Sequence, residues 1–143
     1  MAATTARRPN TNRIGEEPIP GLFNFPQKGA TTAWAGAIGV LSGGYAAPAT
    51  TALNLKCVGR FEQSVVNAGA DGATSVDILQ GVLGPFANSA AADAITQTEV
   101  GTDCFLVDDQ TLAKTNGGGT RSRAGVVIKV TSEGVWALMG LAV

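Results

Sequence analysis

The residue types that carry most catalytic chemistry are sparse in this chain, and histidine is absent from all 143 residues. That absence removes the commonest general base, the commonest metal ligand and the usual pH-sensitive switch. Serines and threonines are plentiful, but no histidine can activate them and no G-x-S-x-G turn presents one as a nucleophile. The sequence therefore predicts that the protein is not an enzyme and has no catalytic residue.

The densest glycine run, NGGGT at 116–120, is the first candidate for a phosphate-binding loop. A P-loop needs the pattern GxxxxGK[ST] between a strand and a helix, because its lysine and backbone N–H groups hold the phosphates. Here Arg121 follows the glycines, and the next element is predicted to be a strand. We therefore expect a flexible or tightly turned surface loop and no bound cofactor.

Three aspartates, Asp103, Asp108 and Asp109, offer oxygen ligands to a hard cation. Their spacing does not match the calcium loop D-x-[DN]-x-[DN]-G, and aspartate at a strand end more often caps a turn through its own backbone. We expect turn caps and no metal site. Arg121 and Arg123 flank the glycine loop, where they either clamp a carboxylate of a partner or remain solvated charges.

The two cysteines, Cys57 and Cys104, lie 47 positions apart and form no CxxC pair. Two buried thiols are the favoured interpretation, with a disulfide left as the alternative. The first residues lack the apolar core of a signal peptide, so we expect synthesis in a reducing cytosol. The longest weakly polar run, 33–49, is too short and too interrupted by glycine and proline for a membrane helix, which argues against a membrane role.

The length and charge balance indicate one domain with a short extension. Ten basic and eleven acidic residues give a net charge of −1, which argues against a nucleic-acid binder. Only 15% of the residues are charged, against 45% hydrophobic, so we expect part of the surface to be covered by other copies or by a partner. Trp34 and Trp136 are expected to serve as core or interface anchors.

Residues 1–29 differ from the rest and predict an extended N-terminal arm. This stretch contains four of the six prolines, which fix φ and disfavour helix at the preceding residue. It also contains large apolar residues that a purely solvated tail would not need. We expect the arm to dock on a partner or a neighbouring subunit; the alternative is a tail whose apolar part packs on its own domain. The candidate contact residues are Arg7, Arg8, Arg13, Ile14, Ile19, Leu22, Phe23 and Phe25.

Residues 30–143 predict a β-rich domain. Alternating runs over 51–61 and 75–83 indicate strands, the second with Val76, Ile78 and Val82 on one side. The runs 124–130 and 135–141, joined by Ser132-Glu133-Gly134, predict a hairpin. A short helix is expected over 89–95, a strand over 104–107 and bent strands over 31–45. The predicted fold is mainly β: a small antiparallel β-barrel or sandwich with an extended N-terminal arm and at most one short helix.

The pattern of strands and turns over residues 55–139 resembles the small capsid decoration (cement) proteins, or minor capsid proteins, of tailed bacteriophages and Mu-like prophages. The most specific stretch is CFLVDDQTLAKT at 104–115. The other stretches that carry the resemblance are VGRFE at 58–62, GVLGPFANS at 81–89, DAIT at 93–96, GTRSRAGVV at 119–127 and GVW at 134–136.

The resemblance implies a structural virion protein on the outer surface of the capsid, made in the host cytoplasm, that stabilises the shell by bridging major capsid subunits. It also implies a homo-oligomer, with a trimer preferred and a dimer second, and no direct contact with nucleic acid. The arm lies outside the resemblance, and its predicted role as the capsid-binding segment comes from the physical argument above. The alternatives are a tail or head-completion protein, and a small phage enzyme or ligand-binding barrel.

Overall fold

The computed structural model describes residues 21–143, which form two β units and no α-helix. Two single-turn 3-10 helices, Ala91–Asp93 and Gln97–Glu99, complete the regular structure of this part. The twelve strands are β1 (Leu22–Pro26), β2 (Thr31–Ala33), β3 (Ile38–Ser42), β4 (Tyr45–Pro48), β5 (Lys56–Phe61), β6 (Val65–Asn67), β7 (Ser75–Leu79), β8 (Gly81–Asn88), β9 (Asp103–Leu106), β10 (Thr111–Ala113), β11 (Arg123–Thr131) and β12 (Gly134–Met139). The prediction of a mainly β fold is confirmed.

The first unit is a five-stranded antiparallel sheet in the order β1-β7-β5-β3-β4. Its two edges approach each other just after β1, where Gln27 forms a parallel bridge with Ala46 and the N–H of Lys28 donates to the carbonyl of Ala46 over 2.8 Å. Strands β2 and β6 pair separately. This unit encloses the smaller core: Ala33, Ala46, Val58, Phe61, Val76 and Ile78.

The second unit is a closed five-stranded barrel in the order β10-β8-β12-β11-β9. Its pairs are antiparallel except β10 with β8. The larger core combines barrel residues with residues of the first sheet, such as Ile38, Val40 and Cys57, so the two units pack as one body. The small antiparallel barrel expected from the strand spacing is therefore present.

The predicted hairpin is confirmed as β11 and β12, whose valine-rich sequences favour strand. Gly134 ends its turn with φ of +143°, a backbone conformation that glycine tolerates best. A Cβ at this position would also lie 2.2 Å from the carbonyl oxygen of Phe86 on β8. The glycine therefore permits both the turn and the close contact that seals the barrel.

Three predicted elements change in the structure. The 75–83 run divides at Gly81, whose φ is +136°. The strand expected over 51–61 begins only at Lys56. The short helix expected over 89–95 is present only as the single-turn 3-10 helix Ala91–Asp93. Asn88 accepts the N–H of Ile95 at 2.8 Å and donates to its carbonyl at 2.7 Å, so these backbone groups bond outside a helix. The bent strands over 31–45 are confirmed as β2, β3 and the start of β4.

A buried amide side chain joins the strands around the end of β1. Gln27 is fully buried, and its Nε2 donates to the carbonyl of Val65 (3.0 Å) and to the carbonyl and hydroxyl of Thr31 (3.2 and 3.3 Å). Its Oε1 accepts from the Thr74 hydroxyl at 3.0 Å. Its main-chain carbonyl accepts from the amide of Asn67, also buried, at 3.0 Å. These bonds connect β1 with β2, β6 and the segment before β7.

No helix within residues 21–143 is long and apolar enough to cross a bilayer.

Replacing Gln27 by leucine tests this connection, because leucine has a similar size but leaves the polar partners unsatisfied. We expect Gln27→Leu to lower the free energy of unfolding by about 2–5 kcal/mol. The matched control is Asn24→Ala on the same strand, which removes only an exposed bond to Asp77 and should cost less than about 1 kcal/mol. Urea denaturation measures both, and equal losses in the two variants would refute the connecting role.

Candidate functional site

The predicted capsid-binding residues divide between two parts of the chain. Arg7, Arg8, Arg13, Ile14 and Ile19 lie outside the described residues, in the segment 1–20, here called the leader. The extended conformation and partner contacts expected of the leader stay predictions.

The other three candidates, Leu22, Phe23 and Phe25, lie in β1, which pairs with β7 over five residue pairs. Residues 22–26 of the predicted arm thus form the edge strand of the first sheet.

Strand β1 presents apolar side chains to solvent. Phe23 is 54% exposed and Leu22 is 41% exposed, whereas Phe25 is half-buried against the smaller core. Because successive side chains of a strand point to opposite faces, Leu22 and Phe23 are exposed on different faces of this edge strand. Large apolar side chains exposed at a sheet edge are typical of a surface that contacts another molecule. Leu22 and Phe23 are therefore the described residues best placed for the predicted contact.

The backbone of β1 also has an open side. The carbonyl of Gly21 accepts from the N–H of Gln80 at 3.0 Å, and the N–H of Gln27 donates to Thr74 at 2.9 Å, so the odd-numbered residues bond to β7. The backbone groups of Leu22 and Asn24 therefore point to the other side. Along Leu22–Asn24 no strand within residues 21–143 pairs with that side, which meets β4 only after the strand ends, at the bridge of Gln27 to Ala46. Such an edge can accept a strand from another chain.

The leader enters the body at a crowded corner. Gly21 lies against Gln80, whose side-chain Oε1 also accepts the N–H of Leu141 at 2.8 Å. A Cβ on Gly21 would lie 3.1 Å from the Cβ of Gln80, and the φ of Gly21 is +91°. The backbone conformation of Gly21, the first residue that the structure describes, therefore favours glycine.

The glycine loop at 116–120 is a tight turn held by Asn116. The carbonyl of Asn116 accepts the N–H groups of Thr120 and Arg121, both at 3.0 Å, and its side chain accepts that of Gly119 at 3.2 Å. The three glycines of the loop have φ between +65° and +89°. The loop's polar groups are used internally, in agreement with the tightly turned alternative.

Arg121 does not clamp an outside carboxylate, since it pairs with Asp93 at 3.3 Å. The Thr115 hydroxyl donates to the same carboxylate, and this bond, followed by those from Arg121, lowers the pKa of Asp93. Arg123 likewise pairs with Asp103 at 2.7 Å. Both arginines therefore make intramolecular pairs, which the sequence did not predict, and a contact of either arginine with a partner stays a prediction.

The other two aspartates lie in the turn between β9 and β10. Asp108 accepts the N–H of Gln110 at 2.9 Å, which is the turn cap predicted from the sequence. Asp109 is half-buried, and burial followed by the charge of Asp108 raises the pKa of its carboxyl. No group of three or more metal-ligating side chains converges within residues 21–143.

Cys57 and Cys104 are free, buried thiols, as the favoured interpretation held. Burial raises the pKa of each thiol to about 12, and the proximity of Cys104 contributes a smaller part for Cys57. A thiolate is the reactive form of cysteine. At neutral pH both side chains act as apolar core residues.

The two tryptophans occupy different environments. Trp136 is half-buried on β12, with the ammonium of Lys129 5.4 Å from its ring centre. Trp34 is 61% exposed, in the turn between β2 and β3, so it is not a core residue. It borders a groove of about 460 Å³ whose other residues include Asp109 and Gln110.

A second apolar surface runs across the outside of the barrel. Val82, Leu138 and Val126 lie opposite one another on β8, β12 and β11. Val82 is 54% exposed, although the alternating pattern placed it on the same side as the buried Val76 and Ile78. At Gly81 the alternation between buried and exposed side chains is reversed. Because of this reversal, the sequence pattern did not indicate that Val82 lies on an outer apolar surface of the barrel.

No family model, curated protein or solved structure matches this chain.

The buried thiols lead to a prediction at alkaline pH. In the unfolded chain the thiol pKa is about 9, whereas in the folded protein burial raises the pKa of both thiols to about 12. Their contribution to stability is complete below pH 9 and is lost as the pH rises from 9 towards 12. We expect the free energy of unfolding to fall over this range, and to fall less in the double variant Cys57→Ala/Cys104→Ala. Urea denaturation at several pH values measures both slopes; identical slopes would contradict the assignment.

Proposed function

We infer that this protein is a capsid decoration protein of a tailed bacteriophage, which binds the outer surface of the head and bridges major capsid subunits. The observation that carries the proposal is the exposed pair Leu22 and Phe23 on the open edge of β1, directly after an arginine- and proline-containing leader. The resemblance of residues 55–139 to decoration proteins supplies the identity of the partner.

The contact combines three kinds of interaction. Leu22 and Phe23 supply apolar area, with Ile14 and Ile19 of the leader as further anchors. The open backbone groups of β1 can add a strand from the shell. The arginines of the leader, Arg7, Arg8 and Arg13, pair with carboxylates of the major capsid protein. No direct contact with nucleic acid or membrane is required.

The body suits close packing on a shell. Few of its residues are charged, so few unpaired charges would be buried in an interface. The exposed Val82, with the half-buried Leu138 and Val126 beside it on the barrel, offers an apolar surface to a second copy in a trimer or, as second choice, a dimer. Many copies then act together, and each single contact can be weak.

The deletion that tests this proposal ends at residue 20. A deletion through residue 29 would remove β1 and Gln27, and loss of binding would then report unfolding. We expect the chain lacking residues 1–20 to unfold cooperatively like the full chain but no longer to co-sediment with empty heads made of the major capsid protein from the same phage. Unchanged co-sedimentation would contradict the proposed role of the leader.

A point variant tests the described part of the contact. Phe23→Ser removes an exposed aromatic anchor, and we expect affinity for the heads to fall by about tenfold or more, as is typical of a central interface residue. The matched control is Val66→Ser, since Val66 is 65% exposed on β6 and should bind as the unaltered chain does. Equal effects of the two substitutions would remove β1 from the interface.

Copy number separates decoration from the tail or head-completion alternative. A protein that bridges subunits over the whole shell must be present in many copies per particle, whereas a protein that completes one vertex or the tail needs only a few. Quantitative mass spectrometry of purified particles measures this number, and a few copies would contradict decoration.

A further inference from the structure

The groove beside Trp34 has the chemistry of a guanidinium-binding site. It is formed by the turn between β2 and β3 on one side and by the turn between β9 and β10 on the other. Trp34 contributes an aromatic ring that is mostly exposed, and Asp109 contributes a carboxylate. An arginine can stack its planar group on the ring and bond to the carboxylate at the same time.

The tryptophan side of the groove is held in place by backbone bonds. The N–H of Ala37 donates to the carbonyl of Trp34 at 3.0 Å and closes the turn. The N–H of Gly36 donates to Phe61 at 2.8 Å, and that of Ala35 donates to the Ser64 hydroxyl at 2.9 Å. The exposed ring therefore projects from a fixed turn, which lowers the entropic cost of binding.

The side of the groove that carries Asp109 is also held in place by backbone hydrogen bonds. The carbonyl of Asp109 accepts the N–H of Ile38 at 2.7 Å, which joins the two walls directly. The carbonyl of Gln110 accepts the N–H of Ala87 at 2.8 Å. Within residues 21–143, neither Asp108 nor Asp109 lies within ion-pair distance of a basic side chain. A cation in the groove would provide a charge partner for Asp109, which lines it.

The arginines of the chain fall into two groups, those paired within the described residues and those of the leader. The three arginines of the described residues are already paired, Arg60 with Glu62, Arg121 with Asp93 and Arg123 with Asp103. The chain's other arginines are all in the leader: Arg7, Arg8 and Arg13.

The leader carries three arginines and two glutamates, which give it a net charge of +1. Because the whole chain has a net charge of −1, residues 21–143 have a net charge of −2. The charges of the two parts are complementary. Pro18 and Pro20 favour an extended backbone next to Gly21, which is expected to direct the arginines away from the body to which they are attached.

We propose that the Trp34–Asp109 groove binds an arginine of the leader of a second copy of this chain, so that neighbouring copies are connected by exchange of leaders. This inference concerns contacts between copies and does not depend on the identity of the shell. It uses one arginine of the leader and leaves the other two, together with Leu22, Phe23 and the apolar leader residues, available to the capsid.

The test uses full-length variants and their molecular mass in solution. Sedimentation equilibrium is expected to show self-association of the unaltered chain. Trp34→Ser, Asp109→Asn and the triple variant Arg7→Ala/Arg8→Ala/Arg13→Ala should each weaken self-association by about tenfold or more, the loss of a stacked or paired guanidinium. Trp34→Phe keeps an aromatic face and should retain most of the association. Added salt should weaken association of the unaltered chain more than that of the triple variant.

A mixing experiment distinguishes exchange between copies from docking of a leader on its own body. Trp34→Ser retains the leader, and the triple arginine variant retains the groove, so a mixture of the two should associate although each alone does not. A mixture that associates no more strongly than either variant alone, or a full chain that is monomeric, would overturn the proposal. So would self-association that is unchanged in Trp34→Ser and Asp109→Asn.

Binding to empty heads is measured on the same variants to separate the two proposals. Trp34→Ser is expected to bind heads through its intact leader and β1 while failing to self-associate. If Trp34→Ser self-associates normally but Phe23→Ser loses head binding, the inference about the groove is wrong and the proposed function stands.

Discussion

The buried side chain of Gln27 determines how the first unit is joined. An amide fully removed from water is stable only when its donors and acceptor are satisfied, and here Val65, Thr31 and Thr74 satisfy them. Each of these partners belongs to a different part of the sheet region. The same residue closes the two edges through its bridge to Ala46. The edge strand that carries the exposed pair Leu22 and Phe23 therefore ends in a fixed polar junction.

The fold was predictable where local sequence and tertiary contacts favour the same structure. The β11–β12 hairpin combines valine-rich strands with a glycine at its turn, and it formed as predicted. The segment 89–95 contains alanines that favour helix, but only the single turn Ala91–Asp93 forms, and the backbone groups of Ile95 bond instead to the side chain of Asn88. At Gly81, where the chain passes from β7 of the first unit to β8 of the barrel, the buried and exposed positions exchange. An alternating sequence pattern cannot indicate such an exchange, because it depends on how the two units are connected.

The candidate site was predictable in part. Apolar residues next to prolines indicated that Leu22 and Phe23 are unusual, and the structure adds that they lie on an open strand edge. The internal pairing of Arg121 and Arg123 with Asp93 and Asp103 could not be predicted, because the partners are at least 20 residues apart in the chain. The groove at Trp34 was missed for the same reason: it arises where two distant turns meet.

The five residue pairs between β1 and β7 have a mechanical consequence. Tension transmitted from the leader along the axis of β1 acts on these pairs in shear, so the load is shared among them. Separating β1 from β7 one residue pair at a time would instead need a force perpendicular to the strand axes. The buried junction at Gln27 lies at the far end of the loaded strand and resists its sliding. In the function proposed above, a load applied along β1 would act on this strand in its strongest direction.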